Sequence, residues 1–132
     1  MTVTPIRVEH LPEPISHYTD AVRVGDLVFV SGCTASNSEG TVDTDDAAAQ
    51  TRIILSTMAE ILAAAGSDLS RVARVTVYLT DIRDRTVINP VRQEFFGAHR
   101  PASTLIEVSR LAVPGAKVEI EAVAAASGPL AR

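Results

Sequence analysis

Lys117-Val-Glu-Ile-Glu-Ala-Val-Ala124 has the period of two that a β-strand imposes on its side chains. Val118, Ile120 and Ala122 fall on one side; Glu119, Glu121 and Val123 fall on the other. The apolar row needs a cover, and two helical stretches upstream can supply it. Asp43 to Ala65 carries Ile54, Met58, Ile61, Leu62 and Ala65 at i, i+4, i+7, i+8 and i+11, one face of a helix. Asp45 and Asp46 favour its amino terminus, and Gly66 supplies a stop. Asn89-Pro90 reads as an N-cap followed by the first residue of a second helix through Val91, Phe95 and Phe96, closed by Gly97 and Pro101.

Further strands surround these helices. Ala21–Val24 and Leu27–Val30 flank Gly25-Asp26, a hairpin whose leading glycine suits a type II′ turn. Arg74–Thr80 and Thr104–Val108 are two more, and a loop with Pro114-Gly115 precedes the last. Residues 1–16, punctuated by Pro5, Pro12 and Pro14, read as an extended lead-in. The order β-β-α-β-α-β-β predicts an α+β fold: a mixed sheet with two helices packed on one face, as a single domain over residues 1–132. The opposite face must then be solvated or covered by another chain. Its moderately apolar make-up and a mean hydropathy of +0.19 favour a partner, so a homo-oligomer is expected.

Composition narrows the function. An apolar fraction of 46% and 21% charged residues exclude a disordered chain. No apolar run approaches the ~20 residues of a membrane span. A net charge of −4 and five aromatics (Tyr 2, Phe 3) argue against nucleic acid, which asks for a basic footprint and stacking platforms. The one cysteine, Cys33, precludes an internal disulfide and fits a reducing cytosol. MTVTPIRVEHLPEP has no apolar h-region, so no secretory signal is expected and a cytoplasmic location is.

Several short runs occur together in a telling order. They are Tyr18 before Ala21-Val-Arg-Val, Leu27-Val-Phe-Val-Ser-Gly32, Ala49-Gln-Thr-Arg52, Val75-Thr-Val-Tyr-Leu-Thr-Asp81, Asn89 with Glu94-Phe-Phe96, His99-Arg-Pro-Ala102 and Val118-Glu-Ile-Glu-Ala122. From about residue 12 to 126 the chain resembles the Rid family, also called YjgF/YER057c/UK114. The resemblance implies a chorismate-mutase-like α+β fold and a homotrimer with clefts between subunits. It also implies hydrolysis of reactive enamines and imines, such as 2-aminoacrylate, without a cofactor.

The same resemblance suggests site residues. In that family an arginine after Arg-Pro-Ala grips the substrate carboxylate, a task suited to a planar guanidinium. Here the run reads Arg100-Pro-Ala-Ser103-Thr104-Leu105, so Ser103 stands where the arginine should be. The water-positioning glutamate of the family's Glu-x-Glu-Ala run maps onto Glu121, the expected catalytic residue; the alternative is a satisfied structural carboxylate. Tyr18, Ser31, Gly32, Cys33, Asn89, Arg92, Ser103 and Thr104 are the expected substrate-binding set. Cys33, where glutamine is usual, is a nucleophile, a polar liner or a small buried strand-end residue. Arg92, where an aromatic is common, either brings a positive charge to the cleft from a new direction or is an ordinary exposed helix residue. His17, just before Tyr18 and the nearest histidine in sequence to the implied cleft, is either a solvated loop histidine or a catalytic one.

His10, His17 and His99 show no metal spacing, and the glycines form no phosphate-cradling loop, so neither metal nor nucleotide is expected. No Gly-x-Ser-x-Gly elbow is present. Two function classes remain: an enamine/imine hydrolase whose range is altered by Ser103, or a non-enzymatic trimeric protein that binds or senses a small molecule.

Overall fold

The computed structural model describes residues 1–127; positions 128–132 of the expected domain lie outside the described residues. The strands are β1 (Val3–Ile6), β2 (Ala21–Val24), β3 (Leu27–Cys33), β4 (Val72–Leu79), β5 (Ala102–Glu107) and β6 (Val118–Ala125); the helices are α1 (Ala47–Ala64) and α2 (Arg85–Phe96). One sheet is ordered β1-β2-β3-β6-β4-β5. β4 and β5 run parallel and every other neighbouring pair is antiparallel, which gives the expected mixed sheet.

The last strand is inserted in the sheet's interior, between β3 and β4. Its inward row is therefore sealed: Val118, Ile120, Ala122 and Ala124 are at most 4% exposed. They meet Ile54, Leu55, Met58 and Leu62, the fully buried face of α1. Burial of each large aliphatic side chain contributes about 1.5–3 kcal/mol. The α1 caps match the sequence signals. Asp46 accepts from the Ala48 amide at its start. At its end Ser67 N bonds Leu62 O and Gly66 N bonds Ala63 O, with Gly66 at φ +81°, a Schellman closure. At the β2–β3 turn Gly25 has φ +54°, and among the described residues no other residue type has positive φ; this fits the expected type II′ geometry.

Two expectations are corrected. The lead-in contains a strand: β1 pairs antiparallel with β2, Pro5 facing Val22. An edge strand tolerates proline because half of its amides need no partner, so the prolines do not preclude pairing. The second helix starts at Arg85, and Pro90 lies inside it rather than at its first position. A single 3₁₀ turn, Ile82–Asp84, feeds that helix, and Asp81 caps the turn by accepting from Arg83 N. An interior proline costs about 3 kcal/mol; burial of Ile88 and Val91 against the core offsets it.

Candidate functional site

The site begins with how residues 7–20 are tied down. Asp20 accepts from Arg7 Nη1 at 2.8 Å and from the Val8 amide at 2.9 Å. Thr19 Oγ1 donates to Ile6 O at 2.8 Å, and Ser31 Oγ donates to Thr19 O at 2.6 Å. The Ser31 hydroxyl, expected to meet substrate, is thus engaged in holding the backbone next to Tyr18. Tyr18 itself is 47% exposed and borders a cavity at the end of β3.

A bulge shapes the floor of that cavity. Between the pairs Val30↔Ala122 and Cys33↔Ile120, β3 spends three residue steps where β6 spends two. The extra residue reverses the facing of Cys33, which would otherwise share the outer face with Phe29 and Ser31. Cys33 instead joins the buried core, its Sγ 3.5 Å from Ser31 O. Burial, then the charges of Asp20 and Glu119, push its thiol up to about 12, so it is a neutral group at ordinary pH.

Glu119 occupies the space the bulge opens. A Cβ built on Gly32 would fall 2.4 Å from Glu119 Oε2, so the carboxylate rests on bare backbone. It borders the cavity with Tyr18, Ser31 and Thr34, walled by Ala112 and Val113. Burial, and then the charge of Glu121, raise its pKa above the ordinary glutamate value. A carboxyl held there can accept and return a proton and orient a water molecule. Glu121, the residue singled out by sequence, is exposed on the same sheet face and accepts from Tyr78 Oη at 2.8 Å. That bond, with burial, raises the Tyr78 pKa. Glu121 borders a neighbouring hollow with Tyr18 and Phe29. Alternation put both glutamates on one face; only the bulge distinguishes Glu119.

The remaining candidates lie elsewhere. Arg92 Nη2 donates to Ser103 Oγ at 2.8 Å, joining α2 to the edge strand β5, and Asn89 lines the adjoining concavity. Thr104 points to the other face and accepts from Arg74 Nη2 at 2.6 Å. Two strands, β6 and β4, separate β3 from β5, a distance of about 14 Å at the usual strand spacing. One protomer therefore holds the expected site as two groups: Tyr18, Ser31 and Gly32 with Glu119, and Asn89, Arg92 and Ser103. His17 is exposed, and His99 bonds Val72 O at 2.7 Å as a structural tie. Among the described residues no three of His, Cys, Asp and Glu gather as a metal-ligand set, and no helix is long and apolar enough to cross a membrane.

Comparison with known proteins shows the family. A family model described as Endoribonuclease L-PSP matches residues 8–126. The chain is 38% identical to the 3-aminoacrylate deaminase RutC of Acinetobacter baylyi, over 88% of this chain and 92% of that protein. It is 36% identical to the human 2-iminobutanoate/2-iminopropanoate deaminase, over 90% of this chain and 86% of the relative. The crystal structure of E. coli TdcF with bound serine superposes with a TM-score of 0.85 at 32% identity, covering 94% of this chain and 99% of the other. Matched along nearly its whole length in sequence and in fold, the chain belongs to the Endoribonuclease L-PSP family, the Rid family of its sequence motifs.

Proposed function

We propose that this protein is a cofactor-independent deaminase that hydrolyses small reactive enamines or imines in clefts between the subunits of a homotrimer. The observation that carries the reading is Glu119: a half-buried carboxyl of raised pKa, lodged on Gly32 beside Tyr18. Imine hydrolysis needs one group that first takes a proton from water and then returns it to nitrogen. As the water oxygen bonds to the C=N carbon, Glu119 accepts its proton and the π pair moves to nitrogen. Return of that proton to nitrogen gives the carbinolamine. Glu119 then carries the hydroxyl proton to nitrogen, the C–N bond breaks as the oxygen's pair forms C=O, and a carbonyl compound and ammonia leave. An enamine enters the same route once its β-carbon is protonated. The relatives named as deaminases of 3-aminoacrylate and of 2-iminobutanoate and 2-iminopropanoate support this reaction class.

Assembly is supported by the uncovered face. Leu27, Phe29 and Ile106 are more than 40% exposed on a protein whose helices occupy the other side. A second copy covering that face can also bring an Arg92–Ser103 edge toward a Tyr18–Glu119 cavity, which one protomer cannot do. Closed cyclic symmetry satisfies every copy alike. The single cysteine supports a cytosolic setting. The family's description names an endoribonuclease, but a net charge of −4 and five aromatics (Tyr 2, Phe 3) weigh against nucleic acid as substrate.

Ser103 favours a second reading, a trimeric small-molecule-binding protein without turnover, because a serine cannot itself supply the charge that an arginine would. Ammonia release from enzymatically generated 2-iminobutyrate decides between them. Turnover that collapses in Glu119→Gln supports the deaminase; ligand binding with no turnover in the wild type supports the binding protein. A monomer in sedimentation at micromolar concentration would rule out the assembly.

A further inference from the structure

Arg92 is a half-buried guanidinium with no counter-charge. Its Nη2 donates to Ser103 Oγ at 2.8 Å, and among the described residues no carboxylate lies within ion-pair distance of it. By contrast Arg7, Arg52, Arg71 and Arg83 each hold a carboxylate. Burial lowers the Arg92 pKa and no partner opposes it. Desolvating a cation without pairing it costs free energy, so the arrangement is stabilised only when an anion arrives. The concavity that Arg92 lines also contains Asn89, Gln93, His99 and Arg100, and no acidic side chain. On a chain of net charge −4, an acid-free hollow with two guanidinium groups stands apart.

We infer that Arg92, oriented by the Ser103 hydroxyl, seats the carboxylate of the substrate, and so restricts it to small enamines and imines that bear one. Ser103 accepts one N–H and thereby fixes the plane of the guanidinium. The other four donors remain for a ligand, and a carboxylate can take two of them side by side. Arg92 is thus a binding residue and Ser103 a positioning residue. The identity of the ligand rests on the deaminase reading; the anion seat does not.

The test separates the two. Binding of 2-oxobutyrate, the product of 2-iminobutyrate hydrolysis, and of its neutral amide, 2-oxobutanamide, is measured by calorimetry on the full chain. Arg92→Gln should weaken 2-oxobutyrate by about tenfold to a hundredfold, as expected for loss of a charge-assisted pair, and leave the amide within about threefold. Arg92→Lys should recover part of the loss, because a point charge replaces a fork. Ser103→Arg added to Arg92→Gln should recover part of it from the strand. Ser103→Ala should weaken the carboxylate only severalfold, and Arg85→Gln, an exposed α2 control, not at all. In turnover, Arg92→Gln should raise KM for 2-iminobutyrate far more than it lowers kcat. Should Arg92→Gln fail to fold, Arg92→Lys and Ser103→Ala carry the comparison with the amide. Equal carboxylate affinity in wild type and in folded Arg92 variants overturns the inference, as does a wild type that binds no carboxylate. Carboxylate binding that depends on Arg92, without ammonia release from 2-iminobutyrate, overturns the deaminase reading and leaves the anion seat standing.

Discussion

The Glu119 carboxylate lies against the backbone of Gly32, where even a methyl group would come within 2.4 Å of Oε2. Gly32 does not have positive φ, so its small size rather than conformational freedom is what the position requires. The atom in the way is the tip of a flexible side chain, so a larger residue displaces the carboxyl without breaking the fold.

Gly32→Ala should therefore keep stability within about 1 kcal/mol, the range of a substitution that strains neither core nor backbone. Deaminase activity should fall at least tenfold. Paired urea unfolding and ammonia-release assays check this. Unchanged activity would show that the Glu119 position is not used.

The two glutamates predict a pH signature. Burial and the Glu121 charge raise the Glu119 pKa, so kcat/KM should inflect above the ordinary glutamate range. Glu119→Gln should abolish that inflection. Glu121→Gln removes the like charge and should move it to lower pH while activity persists. The sign for stability follows: with its folded pKa above its unfolded one, Glu119 makes the fold less stable as pH rises from the unfolded value through the folded one. A Glu119→Gln variant should lose that part of the pH dependence in thermal unfolding. If Glu121→Gln eliminates turnover and Glu119→Gln does not, the roles are reversed.

Gln50 is fully buried on α1 and serves three backbone groups. Its Nε2 donates to Thr44 O at 2.8 Å and Gly115 O at 3.0 Å, and its Oε1 accepts from Lys117 N at 2.8 Å. Gln50→Ala strands these groups and opens a void, at a cost of about 2–4 kcal/mol. Lys117 immediately precedes β6 and lies two residues before Glu119, so activity should drop as well. Urea unfolding that places the loss below 1 kcal/mol would contradict this account.

Phe29, 42% exposed on the uncovered sheet face, is placed to meet a second copy. Phe29→Glu should dissociate the assembly, because an unpaired carboxylate in an apolar contact is costly to desolvate. Sedimentation should show a monomer with its helical circular dichroism retained. A variant that remains trimeric would place the contact elsewhere.

Much of the fold was legible because periodicity is a local property. The alternation from Val118 to Ala124 and the helical spacing of Ile54, Met58, Ile61 and Leu62 each identify an element and its buried face from side-chain positions alone. Asp46 and Gly66 mark the ends of α1 by equally local chemistry. Pro90 shows where local rules stop: tertiary burial of Ile88 and Val91 outweighs its preference for a first turn. Sequence order also could not place β6 between β3 and β4, because strand order depends on which surfaces meet. The site depended on that placement. Glu119 and Glu121 are equivalent by alternation, and only the one-residue bulge of β3 against β6 lodges Glu119 on Gly32 and turns Cys33 inward. Arg92 likewise meets Ser103 only because α2 packs beside the edge strand β5. Residue types and their periods were determined by the sequence itself. Which of two like carboxylates is half-buried, and that Arg92 is half-buried without a carboxylate partner, only the tertiary structure decided, because desolvation is set by neighbours distant in the chain.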